Sequence, residues 1–96
     1  MSYQLSTNMN TFLLEIVTPT QIALSKQVEG MTAPGSEGEF GVLTGHAPLL
    51  TILKPGELSY KIGKDTTRIT IGAGYAEAGP DRVIILTETI SQEAKP

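Results

Sequence analysis

From residue 57 the chain reads Glu57-Leu58-Ser59-Tyr60-Lys61-Ile62-Gly63-Lys64-Asp65-Thr66-Thr67-Arg68-Ile69-Thr70-Ile71, with apolar and polar residues in alternation. Successive side chains of a strand point to opposite faces, so Leu58, Tyr60 and Ile62 share one face and Glu57, Ser59 and Lys61 the other. Beyond residues 63–66 the alternation resumes, with Ile69 and Ile71 opposite Arg68 and Thr70. The spacing predicts two strands, each with one buried and one wet face, joined by a hairpin loop over residues 63–66.

Outward from this hairpin, turn signals recur at short intervals: Thr18-Pro19, Pro34-Gly35, residues 45–48, Pro55-Gly56, Gly72-Ala73-Gly74 and Gly79-Pro80-Asp81. Such punctuation between short apolar segments predicts an all-β sandwich or barrel. Val83-Ile84-Ile85-Leu86 is apolar on both faces, as in a central strand or one covered by a partner. Phe12, Leu14 and Ile16 share a face, and Glu15 interrupts the opposite one. No segment before residue 89 carries a helical period with caps. Residues 1–10 are polar and without strand alternation, and are expected to be a mobile tail. The reading is one domain over residues 11–90, with residues 91–96 as a C-terminal tail.

At 96 residues the chain is long enough for one modest core and too short for two. Hydrophobic residues make up 40% and charged residues 18%, a globular composition. The net charge is −3, and the seven Lys and Arg are scattered without forming a run. A nucleic-acid partner calls for a concentrated basic patch, so none is expected. With no cysteine there is neither a disulfide nor a thiolate metal site. The N-terminus has no signal-peptide pattern, and its longest early apolar run, Phe12-Leu13-Leu14, falls far short of a bilayer span. Membrane association is therefore expected only through a protein partner.

The most unusual segment is Gly35-Ser36-Glu37-Gly38-Glu39-Phe40-Gly41-Val42-Leu43-Thr44-Gly45-His46-Ala47-Pro48-Leu49-Leu50. Its glycines suggest positive φ or close chain approach. A phosphate-binding loop is a poor fit, because the Gly-Lys-Ser/Thr ending and the following helix are missing and Glu37 and Glu39 repel a polyanion. His46, the single histidine, with two acids is a thin set for a transition metal. Ser36, Asp65 and Asp81 form no nucleophile motif. His46 is left with two roles, bonding backbone groups in the turn before Pro48 or touching a partner. Lys64 at the hairpin tip raises a lipoyl- or biotin-carrier domain, yet Gly63-Lys64-Asp65-Thr66 lacks the Asp-Lys-Ala or Met-Lys-Met setting. A small-ligand-binding sandwich using residues 35–46 is the other alternative.

Residues 35–50 closely resemble a motif of the epsilon subunits of F-type rotary ATP synthases, a Gly-x-x-Gly-acid-apolar-Gly strand running into Gly-His-Ala-Pro-Leu-Leu. Gly35, Gly38, Glu39, Phe40, Gly41, Gly45, His46, Ala47, Pro48, Leu49 and Leu50 fit it. The resemblance continues through Lys54-Pro55-Gly56, Gly72-Ala73-Gly74 and residues 83–86, covering roughly residues 12–90. It implies a sandwich of two mostly antiparallel sheets and a non-catalytic rotor subunit of a proton-translocating enzyme, linking gamma to the c-subunit ring. It implies attachment at the cytoplasmic face of the membrane, with no catalytic residue, metal or cofactor. The partner-binding residues it implies are Glu39, Phe40, His46, Ala47, Pro48, Leu49 and Leu50, with Leu49 and Leu50 facing opposite ways. In the family a C-terminal helical hairpin follows the sandwich, and in some members it binds ATP near an Asp-x-x-Arg-Ala stretch. Here the last residues are Thr89-Ile90-Ser91-Gln92-Glu93-Ala94-Lys95-Pro96, so ATP binding is not expected of the chain as given. Thr89 and Gln92 have capping-box spacing, but too few residues follow to sustain a helix.

Overall fold

A computed structural model describes residues 10–45 and 48–92 of the protein. Among them every regular element is a strand: β1 (Phe12–Thr18), β2 (Gln21–Val28), β3 (Gly30–Gly35), β4 (Gly38–Leu43), β5 (Leu49–Leu53), β6 (Gly56–Ile62), β7 (Asp65–Ile71), β8 (Gly74–Ala78), β9 (Arg82–Thr87) and β10 (Ile90–Gln92). The fold is all-β, as turn spacing predicted, and it is the sandwich that the resemblance implied. One layer runs β4-β3-β6-β7-β10 and the other β5-β8-β9-β1-β2, and they join where Gly35 of β3 meets Leu53 of β5. All pairings are antiparallel except that of β1 with β9.

The core comes from the inward set of each strand. Phe12, Leu14 and Ile16 of β1 are buried with Val83 and Ile85 of β9, facing Leu58 and Tyr60 of β6 and Ile69 and Ile71 of β7 in a single apolar cluster. The alternation of the central hairpin therefore holds, except at Ile62, which is exposed at the strand end. The hairpin is also tighter than expected. Ile62 pairs with Asp65, leaving only Gly63 and Lys64 in the loop. Gly63 has φ +60° and no other residue of the loop has positive φ, the pattern of a type II′ turn.

Among the strands that lay outside the sequence reading, two reshape the edges of the sandwich. Gln21–Val28 pairs with β1, and its register slips by one residue between Ile16 and Val17. Because strand side chains alternate, that slip moves Ile22 off the inner face shared by Leu24 and Val28 and sets it opposite Val17. Ile90–Gln92 pairs with Ile69–Ile71, so the sheet straddles the boundary drawn at residue 90, and the Thr89–Gln92 spacing belongs to a strand. The turn between β7 and β8 is held against the end of β9 by buried Thr87, whose hydroxyl lies 3.0 Å from the Gly72 carbonyl and 3.1 Å from that of Thr89. The tail assigned to residues 1–10 and the end of that assigned to residues 91–96 lie largely outside the described residues.

Candidate functional site

The sequence motif of residues 35–50 occupies one lateral side of the sandwich. β3 ends at Gly35, Ser36 and Glu37 form a two-residue connection, and β4 returns along β3 from Gly38 to Leu43 in unbroken register. Glycine is required at position 35, since a Cβ there would lie 2.8 Å from the Gly38 carbonyl oxygen and 3.0 Å from the Phe40 ring. Gly45 takes φ +79°, where a side chain is strained, and turns the chain toward β5. β4 is the end strand of its layer and β5 is the strand that joins the other layer to β3, so the motif runs from a sheet edge to the junction of the two layers.

Of the seven residues implied as partner-binding, five are described. Glu39, Phe40 and Leu49 line one shallow hollow with Gly35, Glu37, Gly38 and Thr51. Glu39 is exposed, and Phe40 is half-buried with its ring packed on the core. Leu50 is 74% exposed and Leu49 38%, on opposite faces of β5. Leu49 points toward the interior side and Leu50 toward the outer face, both reaching solvent. Pro48 is exposed. His46 and Ala47 lie outside the described residues. Glu37 and Glu39 form no ion pair among the described residues, whose salt bridges are Arg82 to Glu15 at 3.0 Å and Arg68 to Glu57 at 3.9 Å.

A second feature escaped the sequence reading. Pairing registers carry one row of side chains across five strands on the outer face of a single layer: Ile52 opposite Tyr75, Tyr75 opposite Leu86, Leu86 beside Val17, and Val17 opposite Ile22. Val17 is half-buried, and the other four are from 40% exposed (Leu86) to 64% (Ile22). Leu50 extends the apolar area along β5, while Glu77 and the Arg82–Glu15 pair bound it. The outer face of the other layer is more polar, carrying Thr32 hydrogen-bonded to Ser59 at 2.7 Å, with Lys61, Arg68, Thr70 and Glu57, and with Leu43 exposed at its β4 edge. A contiguous exposed apolar row on one face of a small domain is the mark of an adhesive surface. The apolar outer positions of Val83-Ile84-Ile85-Leu86 were its one signal in sequence, and β9 is indeed hydrogen-bonded on both sides while Leu86 stays open.

Among the described residues no group of three or more His, Cys, Asp or Glu could hold a metal ion, and no helix is long and apolar enough to cross a membrane. Lys64, the lysine considered for a carrier domain, is exposed at the hairpin tip.

Comparison with known proteins agrees with this geometry. Residues 11–93 match the family model described as the ATP synthase, Delta/Epsilon chain, beta-sandwich domain. The ATP synthase epsilon chain 2 of Syntrophotalea carbinolica is 51% identical over 76 residues, covering 79% of this chain and 55% of that one. The epsilon chain of Syntrophobacter fumaroxidans is 55% identical over 73 residues, covering 76% and 54%. The chain thus spans about half the length of the curated relatives it matches. Among solved structures, a chain of the Euglena gracilis mitochondrial ATP synthase, in a structure of OSCP, F1 and the c-ring, superposes with a TM-score of 0.82 at 27% identity over 86% of this chain and 54% of that one. A chain from the central stalk and c-ring of the Tetrahymena thermophila enzyme shares the fold, with a TM-score of 0.71 at 15% identity over 84% of this chain and 66% of that one. With its motif, its sandwich and a family match over residues 11–93, the chain belongs to the delta/epsilon chain family of ATP synthases, through their β-sandwich domain.

Proposed function

We propose that the protein is a non-catalytic rotor subunit that joins the gamma subunit to the c-subunit ring of a proton-translocating ATP synthase, peripheral to the membrane on its cytoplasmic face. One observation carries the reading: the motif of residues 35–50 falls on an exposed side of the sandwich, where Glu37 and Glu39 have no ion-pair partner among the described residues and Pro48, Leu49 and Leu50 meet solvent. A part that transmits torque needs a stiff body and firm adhesion to its neighbours. The single core cluster shared by both layers supplies stiffness, because close-packed interiors are poorly compressible. The residues proposed to touch gamma and the ring are Glu39, Phe40, His46, Ala47, Pro48, Leu49 and Leu50. The exposed row from Ile52 to Ile22 is further support for a chain that works against protein surfaces rather than alone.

The test is co-purification with the cognate gamma subunit and c-ring. Wild-type protein is expected to retain both, and Glu39→Lys combined with His46→Ala is expected to weaken retention with an unchanged thermal melt. The loss is expected mainly in the dissociation rate, where truncated packing contacts usually act. Failure of the wild-type chain to retain either partner would overturn the reading, and unchanged retention by the double variant would overturn the site.

A further inference from the structure

We infer that the edge of β4 at Glu39 and Gly41 takes up an extended segment of a partner protein, which adds to the sheet as one more strand. The inference deepens the rotor reading and rests on it. β4 hydrogen-bonds only to β3 among the described strands. On its other side β3 meets β5, where the Ser36 N–H donates to the Ile52 carbonyl at 2.9 Å and the Lys54 N–H to the Pro34 carbonyl at 2.9 Å. These two bonds bracket Gly35, whose own N–H and C=O must then turn toward β4. Gly35 pairs with Gly38, and backbone groups alternate in direction along a strand, so Gly38, Phe40 and Val42 bond toward β3 while Glu39 and Gly41 direct their N–H and C=O groups away from it. Glu39 and Gly41 are exposed, and their outward backbone groups have no partner among the described residues.

Sheet edges are normally blunted by bulges, lysine, proline or brevity. The other outer edges show these devices: β2 has its register slip and Lys26, and β10 has three residues. β4 has six residues, no register shift against β3, and neither lysine nor proline. Gly41 adds no side chain on the outer face, leaving its backbone open to approach. Strand addition draws affinity from main-chain bonds and specificity from alternate side chains. Here Phe40 and Val42 line the inner side of the edge and call for apolar residues beside them, while unpaired Glu39 on the outer side calls for a lysine or arginine. The occupant is thus an extended segment alternating aliphatic and basic residues.

Gly41→Pro and Gly41→Ala separate the backbone from the surface. A Cβ at position 41 meets only the Met31 carbonyl oxygen at 3.6 Å and Thr32 Cγ2 at 3.7 Å, so alanine fits and keeps the N–H. Proline removes an N–H that β3 does not use. In binding to the cognate gamma subunit and c-ring, Gly41→Ala is expected to match wild type, and Gly41→Pro to bind about tenfold or more weakly. Equal binding by wild type and Gly41→Pro, or equal loss in both variants, would overturn the inference while leaving the rotor reading in place. Failure of wild type to bind at all would instead defeat that reading. Should Gly41→Pro not fold, hydrogen exchange of the wild-type chain decides: the Glu39 and Gly41 amides are expected to slow about tenfold or more in the complex, and unchanged rates would overturn the proposal.

Discussion

Placing aspartate at position 69 tests the packing of the sandwich most directly. Ile69 is 2% exposed on β7, opposite Leu58 and backed by a cluster that is wholly apolar. Its strand neighbours Arg68 and Thr70 point to the other face, so no cation is placed to pair with a carboxylate there. Loss of the aliphatic side chain costs about 2–4 kcal/mol at a buried site. The carboxyl then either stays charged without a partner or takes up a proton. Protonating a group with an ordinary pKa near 3.9 at pH 7 costs about 4 kcal/mol more. The sum, about 6–8 kcal/mol, is comparable to the whole stability of a domain this size, about 5–14 kcal/mol. Burial raises the folded-state pKa of the new carboxyl above its unfolded value. The sign follows: the charge penalty is absent below pH of about 4 and grows as pH rises toward the folded-state value. Urea melts of Ile69→Asp and Ile69→Asn at pH 4 and pH 7 are the assay. The aspartate variant is expected to be largely unfolded at pH 7 and to regain several kcal/mol at pH 4 relative to asparagine. A near-wild-type melt of Ile69→Asp at pH 7, or a pH response shared equally by asparagine, would refute the placement of β7 in the core.

Two further outcomes bear on the fold. Gly74→Ala is expected to cost about 3 kcal/mol or more in a urea melt, because its Cβ collides with the Leu86 carbonyl oxygen and comes within 2.9 Å of Thr87 Cα, backbone atoms that no rotamer change can move. Lys64→Ala, at an exposed tip without an ion pair among the described residues, is expected to stay within about 0.5 kcal/mol of wild type in the same melt.

Legibility in the sequence tracked how local the causing interaction is. The β6–β7 hairpin was readable because alternation and the Gly63 turn lie within fifteen residues of one another, and its one misplaced residue, Ile62, sits at the strand end where the interior runs out. The motif of residues 35–50 stood out through glycines whose need is geometric, as the Gly38 carbonyl and Phe40 ring around Gly35 make plain. β2 was missed because its seven positions before Val28 are exposed or only half-buried, with no alternation for the eye to catch. The apolar row was missed for another reason. It depends on the parallel pairing of β1 with β9 and on the register slip that turns Ile22 outward, and neither is encoded in any short segment.

β5 links these surfaces. Its Leu49 and Thr51 line the hollow that holds Glu39 and Phe40, while its Leu50 and Ile52 belong to the exposed apolar face that runs on through Tyr75 and Leu86. Alternation along five residues thus serves two surfaces from one strand. That strand is tied on one side to β8 over its whole length and on the other to Gly35 through the Ser36 and Lys54 amides. Force applied at the motif side therefore passes into the layer carrying the apolar row through hydrogen-bonded backbone and packed core, with no loop between. For a part proposed to hold two neighbours in fixed relation, that direct connection couples the motif side to the apolar row without an intervening hinge.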